Sequence, residues 1–370
     1  MEIIHIVLGK ANPSRMNGVN KVVFQLATEQ AKAGKKVSVW GITKNLTQNY
    51  GERVFETCLF KAQKNPFGIS RELRNGIIAK KGLATFHLHG GWVPVFYQVS
   101  SVLSRFDIPF IFTPHGAYNT IAMQRSKISK NLYFRLFEKP LLKRALRIHC
   151  IGESEITGLH GIFPNDKAML TPYGFKANAQ MTALKDKDVK NFIIGFVGRL
   201  DIYTKGLDLL LEAFESFVAH DEGARLWIVG DSHERKVLQQ EVARRKMQDK
   251  VVFWGSKFGY EKDALMEQMH VFAHPSRNEG LPASVLEASS MGIPCLVTKA
   301  TNVGEVIGNY EAGMAVEDEN KIALENALYV LRKQWSLDKL VLMGKNARRM
   351  VNEEFNWKHI VGKFDKLYQA

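Results

Sequence analysis

Two glutamates, Glu279 and Glu287, give the clearest chemical signal in the sequence. Glu279 lies in a loop with glycine and proline behind the apolar run Val271–Ala273, and Glu287 lies on the helix that this loop is predicted to open. A strand that turns into a helix whose N-terminus points into a cleft is how open α/β sheets build phosphate sites. Carboxylates at that point are suited to accepting hydrogen bonds from hydroxyl groups. The segment therefore predicts a nucleotide-sugar site.

Two cations lie where an earlier predicted strand leaves the sheet. Arg199 follows the apolar run Ile193–Val197 and Gly198, and Lys205 comes six residues later, before an amphipathic helix. Such a pair can clamp a diphosphate, since Arg offers a planar fork and Lys a point charge. The alternative is a surface Arg and Lys near a loop. No P-loop pattern is present, and no G-x-G-x-x-G follows the first predicted strand, which disfavours a nicotinamide cofactor.

Three histidines are candidates for the same cleft. His115 follows the apolar run Ile108–Phe112, where it would hydrogen-bond a donor hydroxyl or a backbone carbonyl. His87 and His89 alternate along a predicted strand, from which we predict that they cannot both face the cleft. His89 is the candidate on the acceptor side, with a structural role as the alternative. No cluster in the sequence has metal-ligand spacing and no Asp-x-Asp occurs, so no metal is expected.

Gly18 precedes the helix predicted from Val19 to Gly34. A glycine at a helix start lets the backbone approach a phosphate. A packing role is the open alternative.

A basic segment with interleaved aromatic residues extends from Arg125 to Arg147. Its candidate residues for an acceptor or membrane surface are Arg125, Lys127, Lys130 and Arg135. Basic and aromatic residues at helical spacing suit an interfacial helix on an anionic leaflet. The alternative is that the aromatic face packs in the domain core and the charges are only solvated. RNA binding is disfavoured, since no nucleic-acid module is recognised.

Composition limits the class of protein. A chain of 370 residues with 45% hydrophobic and 24% charged residues suits two soluble domains. We expect no spanning helix, no signal peptide and, from three scattered cysteines, a reducing and cytoplasmic location. The net charge is +14, and the basic surplus belongs to the N-terminal half. This basic surplus implies an anionic partner for the N-terminal half, either a membrane surface or a nucleic acid. The alternative is a basic surface that is only solvated.

Short apolar runs alternate with helical patterns such as Val19–Gly34 and Leu207–Ala219, which predicts parallel sheets built from βαβ units. The predicted strands form two series, separated by the polar stretch Ala177–Asn191 with a hinge near Pro172. The first series is Ile3–Val7, Val37–Trp40, Thr85–Leu88, Phe110–Thr113 and Ile148–Ile151. The second is Ile193–Val197, Leu226–Val229, Val251–Trp254, Val271–Ala273 and Cys295–Val297. The fold class is therefore α/β with two doubly wound domains. A final helical pattern, Phe355–Leu367, either finishes the second domain or crosses back to the first.

With these motifs the chain resembles the retaining glycosyltransferases of the GT-B fold, family 4, also called glycosyltransferase group 1. The resemblance covers nearly the whole chain. It is strongest over Phe192–Gly313, where a Gly-Arg-Leu…Lys-Gly motif precedes a Glu-x7-Glu motif at typical separation. Each motif alone is loose, and the ordered pair is specific. The Thr-Pro-His-Gly segment and Leu136–Arg147 are similar to members that build bacterial surface polysaccharides such as O-antigen and capsule.

The resemblance implies two Rossmann-like domains facing a cleft. Residues 1–172, with a returning helix in 355–370, would bind the acceptor, and residues 173–354 would bind the donor. The donor would be a UDP- or GDP-sugar, with a UDP-sugar favoured, and neither a metal nor another cofactor is expected. The acceptor would be a polyprenyl-diphosphate-linked or other lipid-linked saccharide. The enzyme would lie peripherally on the anionic inner face of the cytoplasmic membrane and would bind no nucleic acid.

The resemblance also implies roles for single residues. Arg199 and Lys205 would hold the diphosphate and stabilise charge as the nucleoside diphosphate leaves. Glu279 would accept hydrogen bonds from hydroxyls of the donor sugar, and His115 would contact the transferred sugar. The other donor contacts would be the backbone N–H groups of Gly280 and Leu281, Glu287 on the ribose, and Gly18 near the diphosphate.

Two features depart from the family pattern. The spacing from Arg199 to Lys205 is one residue longer than the commonest form, and the loop at Gly18 lacks the usual Gly-Gly followed by an acid and a base. No carboxylate is assigned as a nucleophile, which favours a front-face attack with the leaving diphosphate as base. Other hypotheses are a transferase with a soluble acceptor, a sugar-nucleotide epimerase of the same fold, and a membrane- or nucleic-acid-binding protein without catalysis.

Overall fold

The computed structural model describes residues 1–12, 18–118, 127–176, 191–336 and 339–369, with only the backbone of residues 127 and 128. The chain divides into two compact units. Unit 1 is Met1–Gly174 together with Trp357–Ala370, and unit 2 is Phe175–Asn356. The domain boundaries predicted after residues 172 and 354 lie two residues before the observed ones.

Unit 1 is built on a parallel sheet. In the described ranges its strands are β1 (Glu2–Leu8), β2 (Val37–Thr43), β3 (Glu56–Lys61), β4 (Ala84–His89), β5 (Phe110–Thr113), β6 (Arg147–Cys150) and β7 (Ala168–Leu170). They lie in the order β3-β2-β1-β4-β5-β6-β7. Strands β1, β2 and β4 are buried at nearly every residue, as expected of parallel strands covered on both faces.

In the described ranges, the following helices lie between the strands of unit 1. They are α1 (Gly18–Lys32), α2 (Arg71–Ala79), α3 (Pro94–Arg105), α4 (Lys127–Tyr133), α5 (Lys139–Arg144) and α6 (Glu153–Ile162). A π-helical turn, Phe134–Glu138, joins α4 to α5. Helix α1 is amphipathic and buries Val23, Leu26 and Ala27, which is why its 3.6-residue pattern is visible in the sequence.

Unit 2 repeats this plan. In the part of the chain that is described, its parallel strands are β8 (Phe192–Val197), β9 (Ala224–Val229), β10 (Val251–Gly255), β11 (Val271–His274), β12 (Cys295–Thr298) and β13 (Gly313–Val316), in the order β10-β9-β8-β11-β12-β13. Its helices are α7 (Ile202–Lys205), α8 (Leu207–Val218), α9 (Arg235–Arg244), α10 (Gly259–Glu267), α11 (Ala283–Ser290), α12 (Gly304–Asn309), α13 (Lys321–Ser336) and α14 (Leu340–Glu354), with a 3₁₀ turn at Lys299–Thr301.

The last helix, α15 (Trp357–Tyr368), belongs to unit 1. Its face of Ile360, Phe364 and Leu367 is buried, and the Gln30 amide on α1 donates to the Tyr368 hydroxyl at 3.1 Å. Of the two alternatives for Phe355–Leu367, the structure therefore has the one that returns to the first unit.

The predicted fold class, two doubly wound parallel sheets, is confirmed. The two predicted series contain five strands each and omit β3, β7 and β13. All three are edge strands in the observed orders. Strand β3 is half-exposed along its length, so it lacks the continuous apolar run that marks a strand covered on both faces.

Candidate functional site

The predicted cation and carboxylate of unit 2 contact each other. Lys205, the last residue of α7, donates from Nζ to Oε1 of Glu279. His274, the last residue of β11, lies with Nε2 2.8 Å from the same oxygen. Burial opposes ionisation of Glu279, but the His274 hydrogen bond and the charge of Lys205 outweigh it and lower the pKa of Glu279 to about 2. Glu279 is therefore an ionised, acceptor-only group at neutral pH.

The loop that carries Glu279 is fastened to α7 and α8. Arg277 makes a bidentate pair with Asp208 at 2.8 and 2.9 Å, and its backbone N–H donates to the Thr204 carbonyl at 2.9 Å. Gly206 has φ +65°, and a Cβ there would overlap the carbonyl oxygen of Pro275. Glycine after Lys205 is thus required by a left-handed turn and a close backbone approach. These contacts hold Lys205 and Glu279 in place before any ligand binds.

The backbone around Glu279 is oriented by Asn302. Its Nδ2 donates to the carbonyl of Glu279 at 2.6 Å and to that of Gly280 at 2.9 Å. Within the described ranges the N–H groups of Gly280 and Leu281 have no hydrogen-bond partner. They precede α11 by a few residues, where N–H groups suit an anion or an oxygen acceptor.

The two remaining predicted donor contacts of unit 2 lie beside this cluster in sequence and carry their own partners. Arg199 is 72% exposed and pairs with Asp201 at 3.2 Å. Glu287 on α11 pairs with Lys262 at 2.5 Å. Burial opposes the charge of Lys262, but Glu287 and Asp263 outweigh it and raise its pKa. A ligand that binds Arg199 would have to replace Asp201 as its partner, and a ligand that binds Glu287 would have to replace Lys262.

Sequence reasoning missed His274 and Lys262. His274 has a signal that was usable, because it ends a strand as His115 nearly does. Its ring is buried and stacks on Phe196 at 5.5 Å between centroids. Lys262 has no such signal, since a lysine on a helix face is ordinarily solvated.

In unit 1 a pocket of about 290 Å³ lies at the carboxyl ends of β1, β4 and β5. Its lining includes His89, His115, Gly90, Gly91 and Asn20. Asn20 accepts from the Ala11 N–H at 2.7 Å and donates to the Leu8 carbonyl at 3.0 Å, which fixes the backbone between β1 and α1. The structure thus places the predicted His89 and His115 in one pocket.

Gly18 is the first residue of α1. A Cβ added there would meet no described atom within 4 Å. Packing therefore does not require glycine at this position among the described residues, and the approach of a ligand stays as the predicted reason.

Of the two histidines predicted not to face the cleft together, His89 lines the pocket and His87 is not among its described lining residues. Alternation along the strand is nevertheless the wrong reason. Residues two apart on a strand share a face, and the two rings lie 4.1 Å apart between centroids. His5 on β1 joins them, and ring nitrogens of the three lie within 4.8 Å of one another, a spacing that a metal ion could bridge. The expectation that no cluster of residues has metal-ligand spacing is therefore wrong for these three histidines. The expectation that no metal binds stays a prediction.

Comparison with known proteins identifies the chain. Residues 180–350 match the family model of glycosyl transferases group 1. Residues 16–175 match that of glycosyltransferase family 4. The chain belongs to the group 1 glycosyltransferases of family 4. The two matches correspond closely to the two doubly wound sheets, and the fold is GT-B.

Relatives of this glycosyltransferase have specific names. A GDP-mannose:cellobiosyl-diphosphopolyprenol alpha-mannosyltransferase of Xanthomonas campestris is 29% identical over 100% of this chain and 97% of its own. A phosphatidylinositol N-acetylglucosaminyltransferase gpi3 subunit of Schizosaccharomyces pombe is 24% identical over 83% of this chain and 68% of its own. The structure of Anabaena HepE in complex with UDP has a TM-score of 0.75 at 15% identity, covering 99% of each chain. That likeness shows the fold alone.

The basic segment of the glycosyltransferase packs its aromatic residues in the domain, as the second alternative predicts, and the membrane alternative stays a prediction. Its aromatic face packs inward: Phe134 is buried, and Phe137 lies 4.6 Å from Phe67 between ring centroids. The opposite face exposes Leu132 at 60% and Leu136 at 53%. Exposed cations flank these leucines: Arg135, Lys139 and Lys143.

Two of the four residues predicted to form an acceptor or membrane surface have described side chains, Lys130 and Arg135. Lys130 lies with Nζ 5.7 Å from the centroid of the Trp92 ring. Arg135 is exposed. Lys127 begins α4 but its side chain is not described, and Arg125 lies outside the described residues. In the described ranges no helix is both long and apolar enough to cross a bilayer.

Proposed function

We propose that this glycosyltransferase moves a sugar, with retention, from a UDP- or GDP-sugar held by unit 2 to a lipid-linked saccharide in surface-polysaccharide synthesis. The observation that carries the proposal is the Lys205–Glu279–His274 cluster. It places a fixed cation beside an ionised carboxylate that can only accept hydrogen bonds. A diphosphate needs the first and sugar hydroxyls need the second.

In the proposed reaction Lys205 and Arg199 stabilise the negative charge that grows on the leaving diphosphate. They supply positive charge that a metal would otherwise provide, so we expect chelation with EDTA to leave the rate unchanged. Glu279 receives two donors on a single oxygen, which makes it a weak nucleophile. This supports front-face attack with the leaving diphosphate as base, and a trapped glycosyl–enzyme adduct would overturn that route.

The proposal of a lipid-linked acceptor rests on the names of two relatives and on an exposed apolar and basic face of unit 1. One relative is named for a cellobiosyl-diphosphopolyprenol and another for phosphatidylinositol, and both of these are lipids. The exposed face of Leu132, Leu136 and their neighbouring cations combines apolar and basic groups, as a helix on an anionic membrane does. We therefore propose a peripheral location on the inner face of the cytoplasmic membrane.

The donor experiment offers a panel of UDP- and GDP-sugars with a polyprenyl-diphosphate saccharide and measures release of nucleoside diphosphate. UDP-sugars are favoured, and GDP-mannose belongs in the panel because a relative is named for it. Lys205→Ala and Glu279→Ala should each lose at least about 100-fold in kcat/KM, or about 2.7 kcal/mol. Arg244→Ala and Glu241→Ala, which break an exposed pair at 2.6 Å on α9, are matched controls. Unchanged turnover in the first two variants would refute the role of the cluster, and absence of turnover in the wild type with every donor would favour a binding protein without catalysis.

The acceptor experiment separates the remaining alternatives. Turnover with a soluble acceptor alone, or epimerised nucleotide sugar as the product, would replace the lipid-acceptor proposal. For membrane binding, co-sedimentation with anionic vesicles should occur at low salt and weaken as ionic strength rises. Leu132→Ser with Leu136→Ser should abolish it. Ile322→Ser with Leu342→Ser, which alters equally exposed side chains of unit 2, should not.

A further inference from the structure

Five histidines of unit 1 belong to one hydrogen-bonded chain. It runs from His115 in the pocket through His89, His5, Gln30, Tyr368, His87, Thr113 and His149 to the Thr171 carbonyl. Its eight contacts measure 3.1, 2.9, 2.7, 3.1, 2.9, 2.6, 2.8 and 2.7 Å in that order. His115 is half-buried, and every other member is buried. Chains of this kind must satisfy each donor and acceptor within the protein.

The histidines in this chain are neutral. Burial lowers the pKa of His5 and His149 to about 4 and that of His115 to about 3. Burial, and then the neighbouring imidazoles, lower the pKa values of His87 and His89 far below the ordinary range. A neutral imidazole has one N–H donor and one bare nitrogen acceptor. Each ring therefore donates to one neighbour in the chain and accepts from the other.

The Thr171 carbonyl sets that direction, because it can only accept. His149 must then carry its proton on Nε2, which leaves Nδ1 bare to accept from the Thr113 hydroxyl. The Thr113 hydroxyl donates its one hydrogen to His149, so toward His87 it can only accept, from Nε2–H. The bare Nδ1 of His87 in turn accepts from the hydroxyl of Tyr368.

The same reasoning continues to the pocket. Tyr368 accepts from the Gln30 amide, so the Gln30 oxygen accepts from Nε2–H of His5. The bare Nδ1 of His5 accepts from Nε2–H of His89, whose Nδ1 accepts from Nε2–H of His115. All five histidines thus have the same tautomer, and the chain ends at a bare Nδ1 on His115.

We propose that this proton order fixes His115 as a hydrogen-bond acceptor at Nδ1 for a hydroxyl of the transferred sugar, and that Tyr368 is the residue that positions it. The sugar hydroxyl as the partner of His115 rests on the proposed function, whereas the proton order and the part that Tyr368 has in it do not. The His115 ring also stacks on Tyr173, 5.7 Å away between centroids and 15° from parallel. Its φ of +57° places it in a sharp turn after β5.

Tyr368 is decisive because Gln30 can rotate its amide by 180°. Without the tyrosine hydroxyl, the rotated amide would donate to a bare Nε2 of His5, and each following ring would carry its proton on Nδ1 instead. His115 would then present an N–H to the pocket. Both orders would become populated in Tyr368→Phe. The His87-to-Thr171 part would keep its direction, because the Thr171 carbonyl still anchors it.

A metal ion at His5, His87 and His89 would exclude this chain. Both ring nitrogens of each of these residues already have a protein partner between 2.6 and 3.1 Å away. Coordination would have to break at least one of those hydrogen bonds at every ring. The two arrangements therefore have different spectra, which makes them separable.

The experiment is ¹⁵N NMR of the full-length protein with ¹⁵N-labelled histidine, assigned with single His→Gln variants, without substrate and between pH 6 and pH 8. The proposal expects an unprotonated Nδ1 and a protonated Nε2 for all five rings in the wild type. In Tyr368→Phe, His115, His89 and His5 should show two tautomers while His149 does not change. Tyr310→Phe removes a hydroxyl from unit 2 and is the matched control. A protonated Nδ1 or a charged ring in the wild type, or spectra that shift on adding Zn²⁺ at stoichiometric amounts, would overturn the proton order.

A second measurement tests the role of His115 on substrate. With the preferred donor, Tyr368→Phe should lower kcat/KM in proportion to the fraction of His115 that carries its proton on Nδ1, up to about 10-fold when that fraction is complete, which is the value of one good hydrogen bond to a neutral group. With a donor that lacks the contacted hydroxyl, wild type and variant should be equal. If the spectra agree but every deoxy-sugar donor is affected equally by the variant, the hydroxyl contact is wrong although the proton order stands. If no nucleotide sugar reacts, the proposed function fails and the spectra still decide the proton order.

Discussion

Glu279→Gln tests whether the carboxylate of the donor site is held ionised by its neighbours. Glutamine keeps the shape and an acceptor oxygen for Lys205 and His274, so the variant removes the charge alone. The folded-state pKa of Glu279 is about 2 against an ordinary value of 4.5. At 1.36 kcal/mol for each pKa unit, this difference contributes about 3 kcal/mol to the stability of unit 2 at pH 7.

The sign of the pH dependence follows from the lowered pKa. The contribution is complete above pH 4.5 and disappears as the pH falls through 2, because the unfolded chain takes up the proton first. At pH 3.5 about 2 kcal/mol of it remains, so the stability difference between wild type and Glu279→Gln should narrow by about 1.4 kcal/mol between pH 7 and pH 3.5.

The assay is urea unfolding followed by hydrogen-exchange mass spectrometry on peptides that cover β8 and β11, which reports unit 2 by itself. The matched control is Glu222→Gln, an exposed side chain of the same unit, whose difference from wild type gives the baseline. A difference for Glu279→Gln that stays constant from pH 7 to pH 3.5 would refute the argument. Glu279 would then be protonated at neutral pH or solvated enough that Lys205 does not matter.

Three further variants test the packing around the sites. Gly206→Ala should destabilise unit 2 by about 2 kcal/mol or more in the same assay, because it combines a left-handed φ with a backbone overlap. Gly174→Ala should lower the Tm of unit 1, since its Cβ would overlap the ring of Trp357, and an unchanged Tm would contradict the packing described. Asp208→Asn should raise KM for the donor several-fold with little change in Tm, because Arg277 loses a bidentate partner and the loop of Glu279 loosens. Equal KM values would show that the loop does not depend on that pair.

The central strands could be predicted from the sequence because burial on both faces demands an unbroken apolar run. Strands β1, β4, β8 and β11 satisfy this demand, and their predicted spans lie within the observed ones. Edge strands have no such demand. β13, with the sequence Gly-Met-Ala-Val, is recognisable only because β12 supplies a partner.

The candidate site was predictable where one motif carries all of its members. Glu279 and Glu287 are close in sequence, and the strand–loop–helix plan brings Lys205 to the same sheet edge. The contact of Lys205 with Glu279 spans 74 residues and required the order β8-β11. The histidine chain was not predictable, because it joins rings on β1, β4 and β6 and in the turn after β5 to Tyr368, 338 residues from Gln30.

The chain crosses between its units twice, after Gly174 and after Asn356, and the two crossings are adjacent, since Phe175 donates to the Phe355 carbonyl at 2.7 Å. During synthesis the sheet of unit 1 is complete while unit 2 is still being translated. At about 5–20 residues per second, α15 follows roughly 10–40 s later. Until then Gln30 and His87 face the space that Tyr368 will fill. The strands of unit 1 are therefore synthesised early, and the hydrogen-bonded chain that orders its pocket can be completed only after unit 2 has been synthesised.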